Sequence, residues 1–336
     1  MPRDKRPILT VSAPPMAESS RSRWLKRLKL AFTIIVFAVL VVSVDPVAIA
    51  SAWRRIDVRW TALAILLIPH NLFCQYRRIS AALMPVYPAI SFRTAIHPLL
   101  AGLAMGAVTP GRVGELGQVM LLPSGGRTKA LGTLTVMRAY GFLSVVALGL
   151  AAWMANPALL RTDSRTAVCT GGAVLLVLAA LTGVAEWYFR REEHLTTGGL
   201  IRKIRGAEGV FAGVKTLSAK DRVRFCGWSL ALSFVYLTQL TFLMRAFGAA
   251  VPLWDGLLAG AVTTGIVAVL PVAVGNIGVR ETAAVVVWKQ VGTNAAAAFN
   301  GAFLLFLINV VLPGLAGIIW NWWETFRGEG SPSRRP

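Results

Sequence analysis

The chain is short of nearly everything from which a catalytic site is built. Its 336 residues include three histidines, His70, His97 and His194, all far apart in sequence. Its three cysteines, Cys74, Cys169 and Cys226, have neither metal-ligand spacing nor a disulfide framework. No G-x-x-x-x-G-K-[ST] stretch is present, which removes the phosphate loop of a nucleotide-powered pump. H-E-x-x-H and G-x-S-x-G are also missing. Acids are scarce, 15 against 35 lysines and arginines, and Asp163 has no acidic neighbour with which to hold a metal. The expectation is a chain without cofactor, metal site or catalytic residues of its own. The enzymatic alternative left open is chemistry on a lipid-linked substrate with Glu115 and Glu281 as an acid–base pair.

What is present is apolar. Hydrophobic residues make up 55% of the chain and the mean hydropathy is +0.62, the composition of a polytopic all-α membrane protein. The net charge of +20 does not point to nucleic acid, because the basic residues gather in the flanks and loops between apolar runs. There they set orientation and meet anionic lipid. Residues 1–27, broken by Pro2, Pro7, Pro14 and Pro15, read as a disordered basic cytoplasmic arm. Residues 28–325 read as the transmembrane domain and 326–336 as a cytoplasmic tail.

Spanning helices are expected near residues 28–46, 58–74, 131–154, 167–188, 225–246 and 295–321. The tryptophans, Trp288 among them, fall at or near the ends of apolar runs, where indole meets the interface. The N-terminal arm, the basic loop 189–224 and the tail should all be cytoplasmic. Arg77, Arg78 and Arg93 then fall on the inner side, with no acid near them in sequence. Residues 198–217 have the pattern of an amphipathic helix on the inner leaflet, or of a solvated basic connector.

Two apolar stretches are interrupted. One carries Thr109-Pro110-Gly111-Arg112-Val113-Gly114-Glu115 and the other Pro271-x-x-x-Gly275-Asn276-x-Gly278-Val279-Arg280-Glu281. Parity of crossings makes 95–122 start and end inside, and 253–289 start and end outside. Each is expected to be a re-entrant hairpin, with Pro110 and Pro271 near the tips. Backbone that leaves the helix at membrane depth survives where it lines protein or a wet cavity. Paired breaks in the two halves point to inverted repeats around a transport site.

The charges at these breaks are the candidate site. Arg112 and Glu115 are three apart and share a face if helical, Arg280 and Glu281 are adjacent and diverge on a helix, and Arg138 lies within its span. Guanidinium forks suit phosphate, and half-helix N-termini after Gly114 and Gly278 add N–H donors. An anionic headgroup is the expected ligand of Arg112, Glu115, Arg138, Asn276, Arg280 and Glu281. The alternative is that the ion pairs only lock the hairpins.

These motifs, with Arg138 between them, resemble the lysylphosphatidylglycerol synthase transmembrane-region family over roughly residues 28–325. Met137 stands where that family often has an acid, and Asn276 where it often has glycine. The resemblance implies a flippase-like protein of the bacterial inner membrane, similar to the lipid-flipping half of the multiple peptide resistance factor. A phospholipid or a phosphate-linked polyprenyl or glycolipid would be its substrate. A lipid-modifying enzyme encoded elsewhere would be a partner, since the chain ends too soon after its last helix for an aminoacyltransferase domain. Transport of a small anionic solute, or service as a non-catalytic subunit of such an enzyme, are the competing readings.

Overall fold

The computed structural model describes residues 45–109, 111–190, 207–270 and 273–329. Most of the expected first span, with Pro110, Pro271 and residues 198–206 of the expected amphipathic helix, lies outside the described residues. Every regular element among them is helical. Asp45 caps a short helix, α1 (Pro46–Arg54), by accepting a hydrogen bond from the Val47 N–H. Trp53 donates to Asn300 at 2.9 Å, and the Asn300 amide donates back to the Ile49 carbonyl at 3.0 Å.

The span expected at 58–74 is two helices, α2 (Val58–Leu66) and α3 (Ile68–Leu83). Pro69 at the start of α3 has no N–H to continue the α2 ladder, so the break falls there. The Gln239 amide reaches across to the Ala64 carbonyl at 3.0 Å, near the end of α2, where that oxygen also accepts from the Leu67 N–H. The second piece runs nine residues past the expected end, carrying Gln75 and Arg78 into the protein.

Four helical stretches among the described residues are long and apolar enough to cross a membrane. They lie in α5 (Arg127–Ala155), α6 (Ser164–Arg190), α8 (Ala219–Ala246) and the continuous stretch of α11 (Ala295–Phe306) and α12 (Leu312–Glu329). A single π-helical turn at Leu307–Val311 joins the last two. Between α6 and α8, α7 (Ala207–Lys215) is not laid free on a leaflet. It packs on the start of α5, where Gly132 and Gly213 let backbone meet backbone at Val210 and Lys129.

Both interrupted stretches fold back on themselves. In the first, α4 (Phe92–Ala107) returns as a 3-10 helix, Val113–Leu121, with Gly102 against Gln118 and Gly106 against Glu115. Gly114 and Gly117 depress helix propensity in the return limb and let it press on Met105. In the second, α9 (Leu253–Val269) is followed by a return helix, α10 (Val279–Trp288), that packs against it. Trp288, expected at an interface, is instead fully buried, because α10 is too short to reach one and ends among α8, α9 and α11.

The packing is reciprocal. The long limb α4 of the first hairpin packs on α12, which follows the second hairpin, through Gly314 and Gly317. The long limb α9 of the second packs on α5, which follows the first, through Gly149 and Gly265. The helices that precede the two hairpins, α3 and α8, pack on each other. Two apolar cores result. One surrounds Leu99, Leu134 and Phe225 beside the first hairpin, and the other surrounds Leu243, Phe299 and Trp288 beside the second.

Candidate functional site

The hairpin tips meet. The Gly111 N–H donates to the Ala273 carbonyl at 3.4 Å, and the Gly275 N–H donates to the Thr109 carbonyl at 3.1 Å. Each bond joins a glycine of one tip to the residue two before the glycine of the other, so exchanging the tips reproduces the pair. The tips also share a backbone shape. Gly111 and Arg112 have φ of 58° and 57°, and Gly275 and Asn276 have 58° and 59°. Glycine enters that left-handed region without strain, while arginine and asparagine occupy it at a cost.

Around this junction the charges are paired tightly. Glu115 is shared, with Arg112 Nη2 at 2.6 Å from one oxygen and Arg138 Nη1 donating to the other. Arg138 Nη2 also donates to the Arg112 carbonyl at 3.2 Å, so the helix after the hairpin grips the tip itself. Gly106 leaves the room that the Glu115 side chain fills, because a Cβ there would sit 2.6 Å from Glu115 Cγ. In the second hairpin the neighbours Arg280 and Glu281 do not diverge. Arg280 Nε and Nη2 both donate to Glu281 Oε1, at 3.0 and 2.8 Å. The guanidinium lies over the Phe306 ring at 4.4 Å.

At each half-helix start one N–H donor is taken up by a side chain of the same hairpin. Glu281 Oε2 accepts from the Gly278 N–H at 2.6 Å, and Thr109 Oγ1 accepts from the Gly114 N–H at 2.8 Å.

The hairpin tips open on a cavity of about 270 Å³. Arg112 and Glu115 line it from the first hairpin, and Arg280, Thr263 and Thr264 from the second. Arg138 faces a small annex of about 20 Å³ on the far side of Glu115. Asn276 lies at the tip and is not on the cavity wall; its Oδ1 is buried without a partner.

Sequence reasoning missed the third wall. Asn71, Gln75 and Arg78 of α3 all line the cavity, together with Ser229, Ser233 and Tyr236 of the adjoining α8. Arg78 is thus a cavity residue and not part of an inner flank. Its Nε is buried without a hydrogen-bond partner, and Gly141 leaves the space its guanidinium occupies, 3.0 Å from where a Cβ would be. The amides form a chain. Gln75 donates to Asn71 at 2.6 Å, Asn71 to Gln239 at 3.2 Å, and Asn309 to the same Gln239 oxygen at 3.0 Å. Asn309 sits in the π-turn, a distortion often found at functional sites. The missed signal was the spacing of Asn71, Gln75 and Arg78, which puts three polar residues on one helical face.

Beside this cavity, on the other side of α9, is an apolar pocket of about 350 Å³ walled by Val146, Leu150, Trp153, Val262 and Ile266. Among the described residues no group of three His, Cys, Asp or Glu side chains is placed to hold a metal ion.

No curated protein matches this chain. The family model for the lysylphosphatidylglycerol synthase TM region matches residues 27–317, and the chain belongs to that family of multi-pass membrane proteins.

Proposed function

We propose that the chain binds the phosphate-bearing headgroup of a membrane lipid in the cavity at the hairpin tips and carries it between leaflets of the bacterial inner membrane. The observation that carries this reading is the cavity wall itself: Arg78, Arg112 and Arg280 converge on one space from three different elements. Intramembrane cations are costly unless they serve an ion or substrate path, and arginine forks match phosphate oxygens. The reciprocal packing of the two hairpins supports an inverted-repeat transport architecture, in which one half rocks against the other about the shared site. The basic flanks in the sequence support cytoplasmic termini. A lipid-modifying enzyme encoded elsewhere would supply or consume the substrate.

A small anionic solute would use the same arginines. The apolar pocket next to the polar cavity favours the lipid, because a headgroup in one leaves an acyl chain beside the other. The test is reconstitution of the purified protein in vesicles with a headgroup-labelled phospholipid and a quencher that cannot cross the bilayer. Protein-dependent quenching of inner-leaflet label is expected, and it should fall with Arg112→Gln. Uptake of radiolabelled inorganic phosphate with no lipid movement would replace this reading with the solute transporter.

A further inference from the structure

The charges around the cavity do not cancel. Arg78, Arg112, Arg138 and Arg280 surround the two carboxylates Glu115 and Glu281, an excess of two positive charges. The pairing locates the excess. Glu281 is taken up by Arg280 and the Gly278 N–H. Glu115 is divided between Arg112 and Arg138. That leaves one charge's worth unmatched across Arg112 and Arg138. Among the described residues Arg78 has no ion-pair partner; Glu115 attracts it from beyond ion-pair distance, and Arg112 and Arg138 repel it. Such an arrangement is unfavourable when empty and stabilised by an anion, because like charges held together away from bulk water repel. A ligand with one negative charge would leave half the excess in place.

Resting on the headgroup reading, we propose that the cavity selects a compact doubly charged phosphate, either a terminal phosphomonoester or a diphosphate, over a singly charged phosphodiester. Arg78 is the binding residue that makes the distinction. The two unmatched charges lie on neighbouring walls, since Arg78 and Arg112 line the same space, so a single phosphate group with two ionised oxygens can engage both. The amides of Gln75 and Asn71, on the same face of α3 as Arg78, can donate to remaining oxygens. An acyl or polyprenyl chain would leave toward the apolar pocket behind α9.

The experiment measures ligand-induced thermal stabilisation of the full chain in mild detergent. The probes are short-chain phosphatidic acid, short-chain phosphatidylglycerol, inorganic phosphate and inorganic pyrophosphate. Phosphatidic acid should bind at least about tenfold more tightly than phosphatidylglycerol. Arg78→Gln should weaken phosphatidic acid binding far more than phosphatidylglycerol binding, and so remove that preference. Arg78→Lys, which keeps the charge but loses the fork, should retain part of the preference, and it decides the matter if the glutamine variant fails to accumulate. Equal affinity for the two lipids in the unaltered protein overturns the dianion inference while leaving the headgroup site intact. Binding of free phosphate or pyrophosphate without either lipid overturns the lipid source and the headgroup reading with it. No binding of any probe overturns both.

Discussion

At the first hairpin tip Glu115 holds two arginines; Arg112 and Glu115 stay open to the cavity and Arg138 to its annex, with exposures of 30% for Arg112, 18% for Glu115 and 25% for Arg138. At the second tip the Arg280–Glu281 pair is sealed, with 9% and 0%. The backbones of the two tips match in their left-handed residues and in the bonds they exchange. Only the chemistry differs. In the first, position two of the tip is arginine and its carboxylate is over-subscribed; in the second it is asparagine, and the carboxylate is spent on one arginine and a helix cap. One backbone solution thus carries two charge arrangements, one open to solvent-sized space in the first hairpin and one almost closed in the second.

The largest expected effect comes from breaking the sealed pair. Arg280→Gln leaves Glu281 fully buried without its guanidinium, and removing one partner of a buried pair costs about 3–5 kcal/mol. The variant should melt far below the unaltered protein in detergent, or accumulate poorly. Adding Glu281→Gln should recover part of the loss. Arg112→Gln, whose carboxylate keeps Arg138, should cost no more than about 1 kcal/mol, the scale of partly exposed pairs. Equal losses for the two single variants would erase the distinction between the tips.

A smaller effect is expected at the shared backbone. Gly275 has φ of 58°, and a Cβ there would lie 2.5 Å from the Ala107 carbonyl oxygen of the other hairpin. Gly275→Ala should lower stability by at least the roughly 1–2 kcal/mol that a left-handed L-residue costs, with the clash added. Gly172→Ala is the control. That glycine lies in α6 with nothing within 4 Å of a Cβ, so the substitution should be neutral or stabilise by up to about 1 kcal/mol. If melting temperatures place the two variants together, the tip contact contributes nothing to the fold.

Much of this architecture is legible in the sequence because it follows from periodic apolarity and its interruptions. The two hairpins are readable from glycines and charges set in apolar runs. Arg138 was legible from its place in an otherwise apolar helix. Arg78 was not, because Gln75, Arg77 and Arg78 together resemble the end of a span. Only tertiary packing separates Arg77, which lies over the Trp228 ring at 5.2 Å, from Arg78, which turns inward. The pairing of Arg280 with Glu281 was hidden for a related reason. Adjacent side chains on a helix point apart, but Glu281 reaches back to cap Gly278 at the helix start, and Arg280 follows it. The π-turn at Asn309 leaves no mark in composition; it arises where Asn309 must meet Gln239 from across the core.

The smallest expected effect is at Asn276, the counterpart of Arg112 in the second tip. Its φ of 59° is one that asparagine tolerates better than most residues. Its side-chain oxygen is buried without a partner, and the residue is not on the cavity wall. Asn276→Gly removes both the stranded oxygen and the strain, and offsets them with a looser unfolded chain. The two contributions oppose, so the change in stability should stay within about 1 kcal/mol. Headgroup binding and lipid movement should be unchanged as well, because the backbone turn alone is what the position supplies. Melting temperature and vesicle quenching, measured on the same preparation, separate the alternatives. An unchanged melting temperature with lost lipid movement would make the amide a ligand contact, and the second tip would then share the task assigned here to the first.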